Sequence, residues 1–204
     1  MSAKALLATL IALGSAAGIG LEARSRRGTP RPATEAPGSL SIAAGPSGKL
    51  YTASRGRVLA SEDGGETWTD IGSKGGPPID RVEPDPTSAA TLYGSGLSSL
   101  YRSDDSGRTW ARVHDAGGVI AFLCASPTSP VTVYAAFSSV GVPGDFSPGG
   151  LLESRDGGGT FRPAGLEGGS VELLAFSPED PERLYAQVLL EGSESASGDR
   201  KSVV

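Results

Sequence analysis

Three clusters of serine, aspartate and threonine carry the side chains whose types and spacing could do chemistry. They read Ser61-Glu62-Asp63-Gly64-Gly65-Glu66-Thr67-Trp68, Ser103-Asp104-Asp105-Ser106-Gly107-Arg108-Thr109-Trp110 and Ser154-Arg155-Asp156-Gly157-Gly158-Gly159-Thr160-Phe161. The common pattern is Ser-x-Asp-x-Gly-x-Thr followed by Trp or Phe. A carboxylate among hydroxyls can act as a general acid or base. It can also accept hydrogen bonds from nearby backbone amides and so fix a turn. Only the second chemistry uses the whole pattern. Asp63, Asp105 and Asp156 are expected to accept turn amides, Ser61, Ser103 and Ser154 to add hydroxyl contacts, and Thr67, Thr109 and Thr160 to complete the polar stretch. Gly65, Gly107 and Gly158 permit backbone geometries that a side chain would crowd. Trp68, Trp110 and Phe161 are then expected in buried apolar seams between repeated units.

The clusters start 42 and then 51 residues apart, and Tyr51 and Tyr93 each precede the following box serine by ten residues. Asp85-Pro86, Ser126-Pro127 and Ser177-Pro178 each place a proline seven residues before a tyrosine, namely Tyr93, Tyr134 and Tyr185. Proline restricts the turn before the next strand, and the aliphatic residue before each tyrosine can supply an apolar strand position. With 30 Gly, 15 Pro and only 6% aromatic residues, the composition favours many turns between short strands over long helices. Strands are predicted at 41–44, 49–53, 58–61 and 67–71, then 79–83, 91–94, 99–103 and 109–113. A third set is predicted at 119–125, 131–136, 150–154 and 160–163, and a further unit begins with 170–177 and 182–190. These lengths suit small radial blades, so the fold class is all-β: a partial or small β-propeller built from repeated boxes.

The three clusters closely resemble the Asp-box, or bacterial neuraminidase repeat, of β-propeller proteins, and the likeness covers most of 40–190. The first two copies match the motif fully, and the third carries Phe161 in place of tryptophan. The resemblance implies that each box lies at a blade hairpin, away from a central catalytic or binding channel, with its carboxylate in a structural role. Sialidases share the motif, but this chain has no Arg-Ile-Pro signature and no alignable three-arginine clamp. Arg102, Arg108, Arg112 and Arg155 gather around the boxes instead. Xyloglucan-processing propellers, another similar family, use separated carboxylates, one donating a proton and the other activating water. Asp80, Glu83, Asp85, Asp145 and Glu172 lie outside the boxes, and sequence pairs none of them across a cleft. Noncatalytic relatives, photosystem-assembly-like and sortilin-like, imply an interaction surface for a protein, peptide or glycan. An incomplete glycoside hydrolase is the alternative.

Residues 5–21 form an apolar or small-residue run after Lys4, read as an export signal or a membrane anchor within 1–21. Arg24, Arg26 and Arg27 follow it, a flank that the positive-inside tendency retains on the cytoplasmic side. Residues 22–38 read as a flexible linker, 39–190 as the propeller segment and 191–204 as a polar tail or truncated blade without a fourth box. The expected localisation is secreted or periplasmic. A row of blades ending so would leave open edges, so a fragment, self-association or closure by another chain is expected. Between Ser39 and Leu190 there are 11 Lys/Arg against 18 Asp/Glu, with no concentrated basic face for nucleic acid. Cys124 is the one cysteine and His114 the one histidine, read as a small core residue and a blade-edge residue. No phosphate loop, Cys-x-x-Cys or His-Glu-x-x-His motif occurs, so neither cofactor nor metal is expected. The insertion from Ser138 to Gly149 is the largest loop and a candidate binding lip.

Overall fold

Short runs of β-branched and aromatic residues, punctuated by Gly, Pro and Asp turns, pair with their sequence neighbours as antiparallel strands. The structure, a computed structural model, describes residues 42–54, 56–72, 75–138, 149–166, 169–177 and 179–190. The first sheet has the order β1 (Ile42–Ala44), β2 (Leu50–Ser54), β3 (Arg57–Ser61) and β4 (Thr69–Asp70). The second is β5 (Arg81–Pro84), β6 (Leu92–Gly96), β7 (Ser99–Ser103) and β8 (Ala111–Asp115). The third is β9 (Val119–Ser126), β10 (Thr132–Ser138), β11 (Gly150–Ser154) and β12 (Arg162–Pro163), and β13 (Gly169–Phe176) pairs with β14 (Leu184–Leu190). Each sheet packs face to face on the next: β5 on β1 and β2, β9 on β5 and β6, β13 on β9, β10 and β11. The chain is thus an all-β partial propeller. The segments read as 1–21, 22–38 and 191–204 lie outside the described residues, as do 139–148 of the insertion.

The core sits between sheets, because both faces of a middle sheet are covered. Leu92 and Tyr101 join the cluster shared with Tyr51, Val58 and Ile79, while Tyr93 and Leu100 point the other way into clusters with Val133 and Ala135. Alternation with period two sends successive side chains to opposite neighbours. Full burial of Leu92 and Leu100 stabilises by roughly 2 kcal/mol each. On β9 the alternation is reset by a bulge: Phe122 pairs with Ala136 but Ile120 with Phe137, leaving Ala121 extra. Phe122 packs toward β13–β14, and the bulge returns Ile120 to the face that meets Leu100. Cys124 is buried among Ala136, Leu151 and Val171.

All fourteen predicted strands occur, yet the last strand of each complete sheet begins at Thr69, Ala111 or Arg162 rather than at the box threonine. The cause is local. Each box threonine gives its amide and its hydroxyl to the aspartate, so it cannot join the ladder.

Candidate functional site

The three boxes share one hydrogen-bond arrangement, each between the third and fourth strands of its sheet. The buried serine hydroxyl donates to the aspartate Oδ1, at 2.7 Å for Ser61–Asp63, 2.8 Å for Ser103–Asp105 and 2.7 Å for Ser154–Asp156. The same hydroxyl oxygen accepts the amide of Gly65, Gly107 or Gly158 at 2.8–2.9 Å. Oδ1 also accepts the amide of Thr67, Thr109 or Thr160, and Oδ2 accepts the corresponding threonine hydroxyl at 2.5–2.6 Å. The closing glycines have φ of +94°, +90° and +80°, a region unfavourable to any side chain.

These donors set the charge state of the carboxylates. The threonine hydroxyl, then the threonine amide, hold Asp63 and Asp105 at about 2. The Thr160 and Ser154 hydroxyls hold Asp156 well below the usual carboxylate range. A general acid at neutral pH needs the opposite displacement.

Two boxes reach across a sheet boundary. A Cβ on Gly107 would lie 3.0 Å from Ile71 Cδ1, and one on Gly158 would lie 2.7 Å from Tyr93 Cε1. Arg102 Nη1 donates to the Gly157 carbonyl at 2.8 Å while its Nε and Nη2 hold Asp104. Trp110 packs against the cluster of the first sheet, and its Nε1 donates to Gly107 O at 3.0 Å. Phe161 packs on the Tyr93 and Leu100 clusters and meets the His114 ring at 5.8 Å. Trp68 departs from the expected seam. It is half-buried, lies beside Gly65 of its own box, and belongs to none of the core clusters.

The other carboxylates have separate partners. Asp80 accepts the Leu97 amide at 3.3 Å. Asp85 is buried and accepts Thr87, Ser88 and the Tyr93 hydroxyl, the last at 2.6 Å. Glu83 is buried where β5 meets β9, and burial pushes its carboxyl up to about 8 against the opposing effect of the Ala125 amide. Burial, and next the Glu83 charge, raise the Cys124 thiol. Asp145 and the Glu172 side chain lie outside the described residues. Among the described residues no three His, Cys, Asp or Glu side chains gather as a metal cage.

Sequence reasoning missed a groove beside the third box. A cavity of about 360 Å³ is lined by Thr132, Tyr134, Glu153, Arg155, Phe176 and Pro181, among others. The Tyr134 and Phe176 rings meet at 5.8 Å. Burial opposes the charge of Glu153, but hydrogen bonds from Arg155, Tyr134 and Arg162 outweigh it and hold the carboxyl below its ordinary value. Burial, then the Glu153 hydrogen bond, push the Tyr134 hydroxyl up to about 12. A readable signal existed: Arg102-Ser103-Asp104 becomes Glu153-Ser154-Arg155, with the charges on either side of the box serine exchanged.

No protein-family model matches the sequence, and no curated protein is a significant match. Among solved structures, the chain is similar to an ancestral GH74 enzyme (TM-score 0.60, 20% identity, 78% of this chain and 22% of that one). It is similar also to the GH74 xyloglucanase of Xanthomonas campestris (0.56, 22%, 72% and 26%). A chain of a nidogen/laminin complex aligns with TM-score 0.51 at 16% identity over 73% of this chain and 64% of that one. At such identities the likeness is one of fold: these neighbours bear out a β-propeller architecture. The chain spans 22–26% of the length of the two GH74 proteins.

Proposed function

We propose that this chain is an Asp-box propeller segment working outside the cytoplasm as an interaction module for a protein, peptide or glycan. Residues 1–21 act as signal or anchor, 22–38 as linker, 39–190 as the binding body and 191–204 as a tail. The observation that carries the reading is the engagement of Asp63, Asp105 and Asp156 by hydroxyl and amide donors of their own turns. Carboxylates held so far toward the charged form build turns; they do not deliver protons at neutral pH. A fold neighbour in a protein–protein complex lends the interaction reading support.

The second reading, part of a glycoside hydrolase, draws on the two GH74 neighbours and on the fraction of their length that this chain spans. Product formation separates the two. Folded chain incubated with sialylated and β-linked glucan substrates is expected to release no more sugar than an inactive-protein control, whatever it binds. Turnover that disappears on Asp80→Asn or Glu172→Gln, with folding and substrate binding intact, would move the chain to the hydrolases.

A further inference from the structure

The seams on the two faces of the second sheet are built differently where β5 takes part. Where β1 and β2 meet β5, the contact is apolar, with Tyr51, Ala53 and Val82 in one cluster. Where β9 meets β5, a carboxyl lies in the seam. Glu83 is 8% exposed, stands opposite Tyr93 in register, and is close enough to Cys124 of β9 for its charge to act on the thiol. None of the strands packed on β5, namely β1, β2, β6 and β9, carries a charged residue. The titratable groups they bring are Tyr51, Tyr93 and Cys124, all buried, and the Tyr93 hydroxyl is given to Asp85. On β5 itself Arg81 stacks over the Phe122 ring at 5.8 Å, and Asp80 is the charge that acts on it. Glu83 thus accepts the Ala125 amide with no cation from a neighbouring strand to offset its charge, and such a carboxyl keeps its proton while the seam is closed.

The connections that cross the two seams differ as well. Pro77 and Pro78 lie in the first, and a Cβ on Gly96 would come within 1.9 Å of the Pro78 carbonyl oxygen. The second is Ala116-Gly117-Gly118, where Gly117 has φ of +71° and open space where a Cβ would stand. At its box end the second seam is pinned: Arg102 holds the Gly157 carbonyl, Gly158 lies against the Tyr93 ring, and Phe161 meets His114. We propose that Glu83 is a proton-operated latch: protonated, it seals β9 against β5, and on losing its proton it admits water and frees β9 locally, exposing the Cys124 thiol while the box end holds. Burial pushes the carboxyl up to about 8 from an ordinary 4.5. Each pH unit between these values favours the open seam by up to about tenfold, and the gain ends above 8. Burial, then the Glu83 charge, raise the Cys124 thiol, so the closed seam accommodates neither anion. The device goes beyond the interaction reading and makes the fit of the second and third sheets a function of pH.

Cys124 is the one cysteine, so its reaction with a maleimide reads the seam directly. The rate on the native full chain is divided by the rate on urea-unfolded chain at the same pH, which cancels the thiolate fraction and leaves the protection given by the fold. Protection is expected to fall at least tenfold from pH 6 to 8 and to level off above 8, and to stay flat in Glu83→Gln. Low urea should leave the native rate at pH 8 unchanged, because a local opening exposes little surface. Constant protection in the parent chain overturns the proposal, as does a fall that Glu83→Gln shares. So does a rate that climbs with urea as steeply as global unfolding, which makes the thiol a reporter of overall stability alone. If Glu83→Gln does not fold by circular dichroism, hydrogen exchange on the parent chain decides: the Ala125 amide should lose protection from pH 6 to 8, after correction for intrinsic exchange, while the β2 amides keep theirs. Parallel loss in β2 contradicts the latch.

Discussion

The first and second boxes make the same hydrogen bonds but pack differently. Asp63 and Asp105 each hold a serine hydroxyl, a threonine amide and a threonine hydroxyl at distances that agree within 0.1 Å. Yet Trp110 closes a seam with the first sheet and Gly107 is buried against Ile71 and Leu92, whereas Trp68 lies against Gly65 of its own box and joins no core cluster. The polar half of a box is therefore a local object, complete within eight residues. Its apolar half depends on which sheet faces it, and the same motif contributes different amounts of stability at different places.

The largest expected effect follows directly. Trp110→Ala should cost about 3–5 kcal/mol in reversible urea unfolding, since it leaves a cavity between two sheets. Trp68→Ala should cost roughly 1–2 kcal/mol, the transfer of a half-buried ring with little cavity behind it. Equal losses at the two positions would erase the distinction between the boxes.

Glycine substitution sharpens the same contrast with a smaller change. Any Cβ at Gly65 or Gly158 meets the left-handed backbone penalty of about 1–2 kcal/mol. At Gly158 the methyl would also press on the Tyr93 ring, adding about 1–3 kcal/mol of overpacking. At Gly65 the nearest atom would be 3.7 Å away. Gly158→Ala should thus be the more costly in denaturant midpoint, and a reversed order would place Tyr93 elsewhere.

A third prediction concerns pH and sets the β5–β9 seam against the boxes. Glu83 has its folded pKa raised to about 8 from an ordinary 4.5, so the folded chain holds a proton that the unfolded chain releases between those values. Stability from this group is complete below pH 4.5 and is lost as pH rises through 8. Box aspartates act in the other direction: their contribution is present above the unfolded value of 3.8 and is lost as pH falls through about 2. Glu83→Gln should flatten the decline of stability between pH 5 and 8, read as a denaturant midpoint that no longer falls across that range. An unchanged slope would mean that another group supplies the proton.

The repeated strands were legible because each turn announces itself locally. Asp85-Pro86 and the boxes mark where β6, β7 and their counterparts start and stop, and a one-sheet unit needs few long-range contacts to be recognised. The threonine starts of the last strands were misread because their amides look free in the sequence and are taken by a carboxylate four residues earlier. Glu83 gave no local sign of burial, since only the packing of β9 on β5 removes it from water. Trp68 and Trp110 look identical along the chain, and the sheet opposite each ring distinguishes them. The groove at Glu153 was hidden for a related reason: it needs the pairing of Tyr134 with a residue 19 positions later and the hairpin β13–β14 as its far wall.

The central claim is that the recurrent carboxylates are turn builders, and carboxyl-carbon NMR tests it most directly. Titration of Asp63 and Asp105 in the folded chain should give midpoints near 2, with the adjoining Thr67 and Thr109 amides shifting at the same pH. Midpoints at or above the ordinary 3.8, with threonine amides that ignore the titration, would show that the carboxylates are not tied into their turns and would contradict the account.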